Sequence, residues 1–127
     1  MRIYIAHSRQ FDYINKIYQP IRNDNELKKE KIILPHETED SNNKRVFYDN
    51  IDLLIAEVSA PSIGLGIELG FAYDSNIPIY CLYEKGKKYS KSLEVITKNI
   101  IEYKSSEDFI KIIKSIIESR KNETRSI

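Results

Sequence analysis

Five short apolar runs punctuate this chain, at residues 3–6, 31–34, 53–58, 77–83 and 99–103, and the stretches between them carry apolar residues at helical spacing. That alternation is the signature of βαβ units and a parallel sheet. Phe11, Ile14, Ile17, Tyr18 and Ile21 form the first helical stripe, with a kink or break expected at Pro20. Pro35 ends the second run, a helix is expected over 41–50 with Val46, Phe47 and Ile51 inward, and another over 65–74. The run Leu-Leu-Ile-Ala-Glu-Val at 53–58 is almost wholly apolar, which fits a central strand covered on both faces. The clearest helix spans 105–119, capped by Ser105 or Ser106 and striped by Phe109, Ile112, Ile113, Ile116 and Ile117. These elements predict a single-domain α/β fold: an open, mostly parallel five-stranded sheet with helices on both faces, flavodoxin-like or Rossmann-like. The domain occupies 1–119 and a polar, frayed tail occupies 120–127.

Charge and composition narrow the function classes. Twenty Lys and Arg balance 19 Asp and Glu, which leaves no electrostatic footprint for nucleic acid or an anionic membrane. No apolar run reaches the roughly 20 residues that span a bilayer, and the first residues lack a signal peptide's long apolar core. A cytoplasmic protein is expected. One cysteine, Cys81, makes no internal disulfide and no cysteine-built zinc site, and two distant histidines, His7 and His36, do not make a metal site. No cofactor is expected. There is no P-loop, and no acidic pair closes the first strand as a phosphoacceptor domain would need.

In open α/β sheets, ligands bind beyond the carboxyl ends of the strands. That rule selects His7-Ser8-Arg9, Pro35-His36-Glu37 and residues 59–68. The last segment leaves a buried strand, turns through Pro61 and Ser62, and enters a helix through Gly64 and Gly66. Those glycines permit unusual backbone shapes and close ligand approach, free N–H groups at the helix start favour an anion or a hydroxyl-rich group, and Glu68 projects from the first turns. Three readings follow. One is a plain strand-to-helix turn with Glu68 complementing the helix dipole. The second is a dinucleotide fingerprint, although its first glycine belongs directly after the strand and here 59–63 intervene. The third is a glycosyl-transfer site in which Glu68 stabilises or traps an oxocarbenium-like centre.

The stretch 52–72, with its Ala-Glu-Val strand end, Pro-Ser, and Gly-x-Gly-x-Glu-Leu-Gly, resembles the central motif of the nucleoside 2-deoxyribosyltransferase superfamily, and most of all the branch containing 2'-deoxynucleoside 5'-phosphate N-hydrolase. A weaker likeness covers 3–8 and the fourth strand with the loop to Ser92; 9–49 match poorly. The resemblance implies an enzyme that cleaves or exchanges the N-glycosidic bond of a nucleoside or nucleotide. By it, Glu68 is the glutamate that attacks the anomeric carbon, and Ser62, Gly64 and Gly66 hold the phosphate or a sugar hydroxyl. Tyr4 sits near the sugar and the nucleophile, and Ser8 touches phosphate. Ser92 lies near a residue lent to a neighbouring subunit's pocket, which implies a homodimer. Two positions depart from the pattern. The acid this branch carries about two turns upstream of Asp52 falls on Lys44 by ungapped counting, with Asp49 and Asp40 nearest, and the Arg expected two residues after Ser8 is Gln10, with Arg9 one residue earlier. His36 or Asp49 is then the candidate proton donor to the departing base, and His7, Arg9 and His36 are candidates at the pocket rim. A non-catalytic nucleotide-sensing module on the same fold is the alternative.

Other residues read more plainly. Glu57 lies in a strand expected to be buried and therefore needs a partner; a structural role suits it better than catalysis. The charge runs at 28–31 and 84–88 read as solvated loops. Most of the nine tyrosines read as half-buried packing rings, with Tyr4 and Tyr13 considered for ligand contact.

Overall fold

The computed structural model describes residues 1–37 and 50–125. Five strands, β1 (Arg2–His7), β2 (Lys31–Ile33), β3 (Leu53–Glu57), β4 (Ile79–Glu84) and β5 (Ile100–Tyr103), form one sheet in the order β2-β1-β3-β4-β5. Every neighbouring pair is parallel. This is the doubly wound order whose switch point lies between β1 and β3, where chain connections leave in opposite directions and open a crevice above the strand ends. His7 and Glu57, the last residues of β1 and β3, are register partners at that point. The helix expected over 41–50 falls, Asn50 apart, outside the described residues, and so do Asp40, Lys44 and Asp49.

Alternation along the strands sorts side chains into two cores. Ile3, Ile5, Leu53, Ile55 and Leu82 face α1 (Gln19–Arg22, led in by a π-turn at Ile14–Tyr18) and α3 (Ser106–Arg125), whose Phe109, Ile113, Ile116 and Ile117 pack down on them. Tyr4, Ala6, Leu54, Ala56 and Cys81 face α2 (Ile63–Asp74) through Leu65, Leu69 and Ala72. All five β3 residues are buried, as a central strand with helices on both sides must be. Burial pushes the Cys81 thiol up to about 12, so it behaves as a small apolar core residue.

Local chemistry sets the element ends. Ser62 caps α2 by accepting from the Leu65 N–H at 3.3 Å. At the other end Asn76 takes φ 59°, and the N–H groups of Asn76 and Ile77 donate to the Tyr73 and Ala72 carbonyls at 3.2 and 3.0 Å. That pairing is a Schellman closure with Asn in the left-handed position. Ser105 caps α3 through the Asp108 N–H at 3.1 Å, while the Asp108 carboxylate reaches back to the Lys104 N–H at 2.8 Å.

Two expectations need correction. Pro20 does not break the first helix: the π-turn ahead of it, closed by the Gln19 N–H on the Ile14 carbonyl, delivers Pro20 into the opening turn of α1, where its missing N–H costs nothing. The widened turn leaves Ile14 half exposed rather than in the core. The polar tail is not frayed from residue 120, because α3 continues to Arg125. Lys121 pairs with Glu30, which ties the extra turns to the segment ahead of β2, and Arg120 pairs with Glu123 at 2.8 Å along the helix itself.

Candidate functional site

The carboxyl ends of β1, β2 and β3 bring the first loop, the Pro35–His36 turn and the start of α2 to one edge of the sheet. On the α2 side, Glu68 stands in the second turn of the helix and is only 8% exposed, with Oε2 shielded from solvent. Tyr4, 2% exposed, belongs to the same interlayer, where α2 packs against β1. Ser62 caps this helix half-exposed, and Gly64 and Gly66 lie exposed in its first turns. The glycines do not serve the purpose expected of them in the turn: both are helical, and neither has a positive φ. A Cβ at either would meet nothing within 4 Å. What glycine provides there is an uncovered helix start, whose N–H groups can approach an anion closely.

On the other side of the sheet, His7 is 5% exposed and both its ring nitrogens are engaged. Nδ1 lies 3.0 Å from the Ser8 carbonyl and must donate to it; Nε2 then accepts from the Tyr18 hydroxyl at 2.8 Å. The Tyr18 oxygen in turn accepts the His36 N–H at 3.0 Å. Tyr13 stacks on His7 at 4.3 Å and 22°, and the His36 ring meets His7 edge-on at 5.1 Å. Tyr13 and His36 are half-buried and border solvent. One hydroxyl thus ties the first helical segment to the ends of β1 and β2. Periodicity identified Tyr18 only as part of an apolar stripe.

Burial, helped by the nearby His36 and Arg9 and opposed by the Ser8 carbonyl, lowers the His7 pKa to about 4. His7 is therefore neutral near pH 7, and a cationic phosphate contact from it is not what this environment favours. An unfolded histidine titrates near 6.5 and the folded one near 4, so between those values the unfolded chain takes up a proton that the folded chain refuses. Stability should fall as pH drops through that window, by at most about 1.4 kcal/mol per pH unit for this one proton, with no His7 contribution above it. Urea midpoints from pH 7.5 to 4 for wild type and His7→Gln check this. The variant should lose part of the acid sensitivity, and identical pH profiles would refute the assignment.

The remaining candidates are scattered. Ser8 is fully buried, and its Oγ accepts the Gln10 N–H at 3.1 Å, folding the first loop back on itself. Arg9 and Gln10 are exposed at the loop tip. Ser92 is exposed on a short 3-10 turn (Lys91–Val95) after β4. Asp49 lies outside the described residues. Among the described residues no three His, Cys, Asp or Glu side chains gather as metal ligands.

Comparison with known proteins supplies two findings. A 44-residue stretch, 35% of this chain, is 52% identical to a Syntrophotalea carbinolica protein described as "Putative 2'-deoxynucleoside 5'-phosphate N-hydrolase 1", and spans 31% of that protein's length. The whole fold is similar to that of the CMP N-glycosidase BcmB of Clostridium botulinum, with a TM-score of 0.58 at 20% identity, over 90% of this chain and 99% of that one. No family model matches the sequence. The resemblance stated from the motif at 52–72 is therefore met in sequence over about a third of the chain and in fold over nearly all of it.

Proposed function

We propose that this protein cleaves or exchanges the N-glycosidic bond of a nucleoside or deoxynucleoside, or of its 5'-monophosphate, with Glu68 as the nucleophile. The observation that carries the reading is a buried carboxylate on α2 at the sheet's switch-point edge, beside an uncovered helix start. The names of the two similar proteins, an N-hydrolase and an N-glycosidase, support the same chemistry.

In this mechanism a Glu68 oxygen approaches C1' as the bond from C1' to the base nitrogen breaks. The bonding pair leaves with the base, and positive charge develops on the sugar ring. A partly desolvated carboxylate facing that charge stabilises it and closes to a glycosyl ester. The base nitrogen takes a proton from an acid, assigned to His36 or Asp49. Water then attacks C1' and regenerates Glu68, or a second base does so and completes a transfer. Tyr4 orients the Glu68 carboxylate from the neighbouring strand. Ser62 and the backbone at Gly64 and Gly66 hold the phosphate or a sugar hydroxyl. Arg9, exposed at the loop tip above the buried Ser8 and His7, is the cation of the opposite rim, and Tyr13 beside His36 offers a ring face to the base.

A homodimer is part of the proposal. Ile63, Ile67 and Phe71, spaced four apart along α2, are 84%, 63% and 46% exposed, an apolar stripe on a helix that is already apolar on its core side. A second copy covers that stripe and brings its Ser92 toward the pocket. Ile67→Glu should turn the dimer into a monomer in sedimentation equilibrium; a wild type that is monomeric at all concentrations would refute the arrangement.

The direct test is release of free base, read by chromatography, from a panel of ribo- and deoxynucleosides and their 5'-monophosphates. Release from at least one class is expected, and none from any of them would overturn the reading. Lys44, where the related branch carries an acid, favours one rival: a nucleotide sensor. Tight binding with the glycosidic bond intact after long incubation would establish that rival.

A further inference from the structure

We propose that Glu57 is a positioning residue: its buried carboxylate locks the turn at Ser59, and with it the start of α2, onto the ends of β4 and β5. Glu57 closes β3 and is 1% exposed, with its side chain on the sheet face opposite Glu68. Oε1 accepts the Ser59 N–H at 2.6 Å, and Oε2 accepts the Ser59 hydroxyl at 2.9 Å. Oε2 also accepts the hydroxyl of Tyr103, the last residue of β5. Ser59 Oγ in turn accepts the N–H of Glu84, the last residue of β4, at 2.8 Å. One carboxylate therefore gathers the ends of three strands and grips Ser59 by both main chain and side chain.

Such a group is expensive as simple filling. Burial raises the Glu57 pKa while the donors from Tyr103 and Ser59 act against that rise. An apolar residue would fill the same space without the desolvation cost, as Ile55 does two residues earlier on the same face. What an apolar residue lacks is direction. Only Ala60 and Pro61 separate Ser59 from the Ser62 cap, and Pro61 has a fixed φ. An error at Ser59 is therefore passed, nearly undamped, to the helix that carries Glu68.

The kinetic part of this inference rests on the proposed reaction; the structural part does not. The experiment compares the full-length wild type with Glu57→Gln, Tyr103→Phe and Ser59→Ala. The amide places an NH2 where Oε2 now meets two hydroxyl donors, and the other two variants each remove one donor. Amide hydrogen exchange should accelerate about tenfold or more at Ser59, Glu84 and the first turns of α2, with Ile3 and Ile5 of β1 still protected. In base release, kcat should fall about 10- to 100-fold and KM should rise by less than about tenfold, because a displaced α2 misaims Glu68 and also shifts the Ser62, Gly64 and Gly66 groups that hold the substrate in the proposed reaction. Unchanged exchange from residue 59 to 66 overturns the clamp, as does an equal loss of protection throughout the sheet. Should the wild type release no base, the proposed reaction fails and the exchange measurement alone decides for or against the clamp. Should Glu57→Gln fail to fold, the two single-donor variants decide by the same criteria.

Discussion

Glu68→Gln should lower base release by about a thousandfold or more, with the fold and nucleotide binding retained. Glutamine keeps the size and planar shape of the side chain, so the α2–β1 interlayer in which Glu68 sits 8% exposed keeps its packing. It removes the negative charge that faces the developing oxocarbenium, and it replaces a carboxylate oxygen with a poor nucleophile. The two losses act on the same step, and the residual rate then comes from positioning and the departing-base acid alone. Turnover of the best substrate of the panel measures kcat, and calorimetric titration with the same nucleotide measures affinity. A Gln variant within about tenfold of wild type would remove Glu68 from the chemistry. An inactive wild type that binds nucleotide as tightly as the variant would move the protein to the sensor reading.

Phe109→Ala should destabilise the fold by about 3–5 kcal/mol, the usual range for removing a buried aromatic ring. Phe109 is 1% exposed in the first turns of α3 and meets the Tyr103 ring edge-on at 4.9 Å. Its loss leaves a cavity between α3 and the sheet that rigid strands cannot close. For a chain of this size the melting temperature should drop by roughly 10–20 °C. The site should feel the change too, since Tyr103 donates from this contact to the Glu57 carboxylate. Urea unfolding and thermal melts measure the effect, and a loss below about 1 kcal/mol would mean that α3 is held by its ion pairs rather than by its core face. Those pairs, such as Lys114 to Asp24 at 2.8 Å, are partly exposed and contribute little each.

Much of this architecture was legible in the residues because its causes are local. The almost wholly apolar run at 53–58 demanded a strand buried on both faces, and β3 is fully buried. The Ser105 cap follows from a side chain that reaches a backbone N–H three residues on. Glu57 was recognisable as a buried carboxylate in need of partners, and it has them.

What those partners are was another matter. Tyr103 lies 46 residues from Glu57, Glu84 lies 25 from Ser59, and Tyr18 lies 11 from His7. Periodicity assigned Tyr18 and Tyr103 to their elements but said nothing of where their hydroxyls point, since that depends on which strand lies beside which. Gly64 and Gly66 were expected to allow unusual backbone shapes and close ligand approach; both are helical with no positive φ, and they leave the start of α2 uncovered. Ile14 was expected inside and stands outside, moved by a π-turn whose hydrogen bonding the side-chain pattern does not encode. By itself the sequence determined the elements, their buried faces and the segment that holds Glu68, because propensity, capping and burial act over a few residues. Only the tertiary structure decided the strand order, the neutral His7 cluster and the grip on Ser59, because those depend on directional bonds between groups that come together only when the sheet assembles.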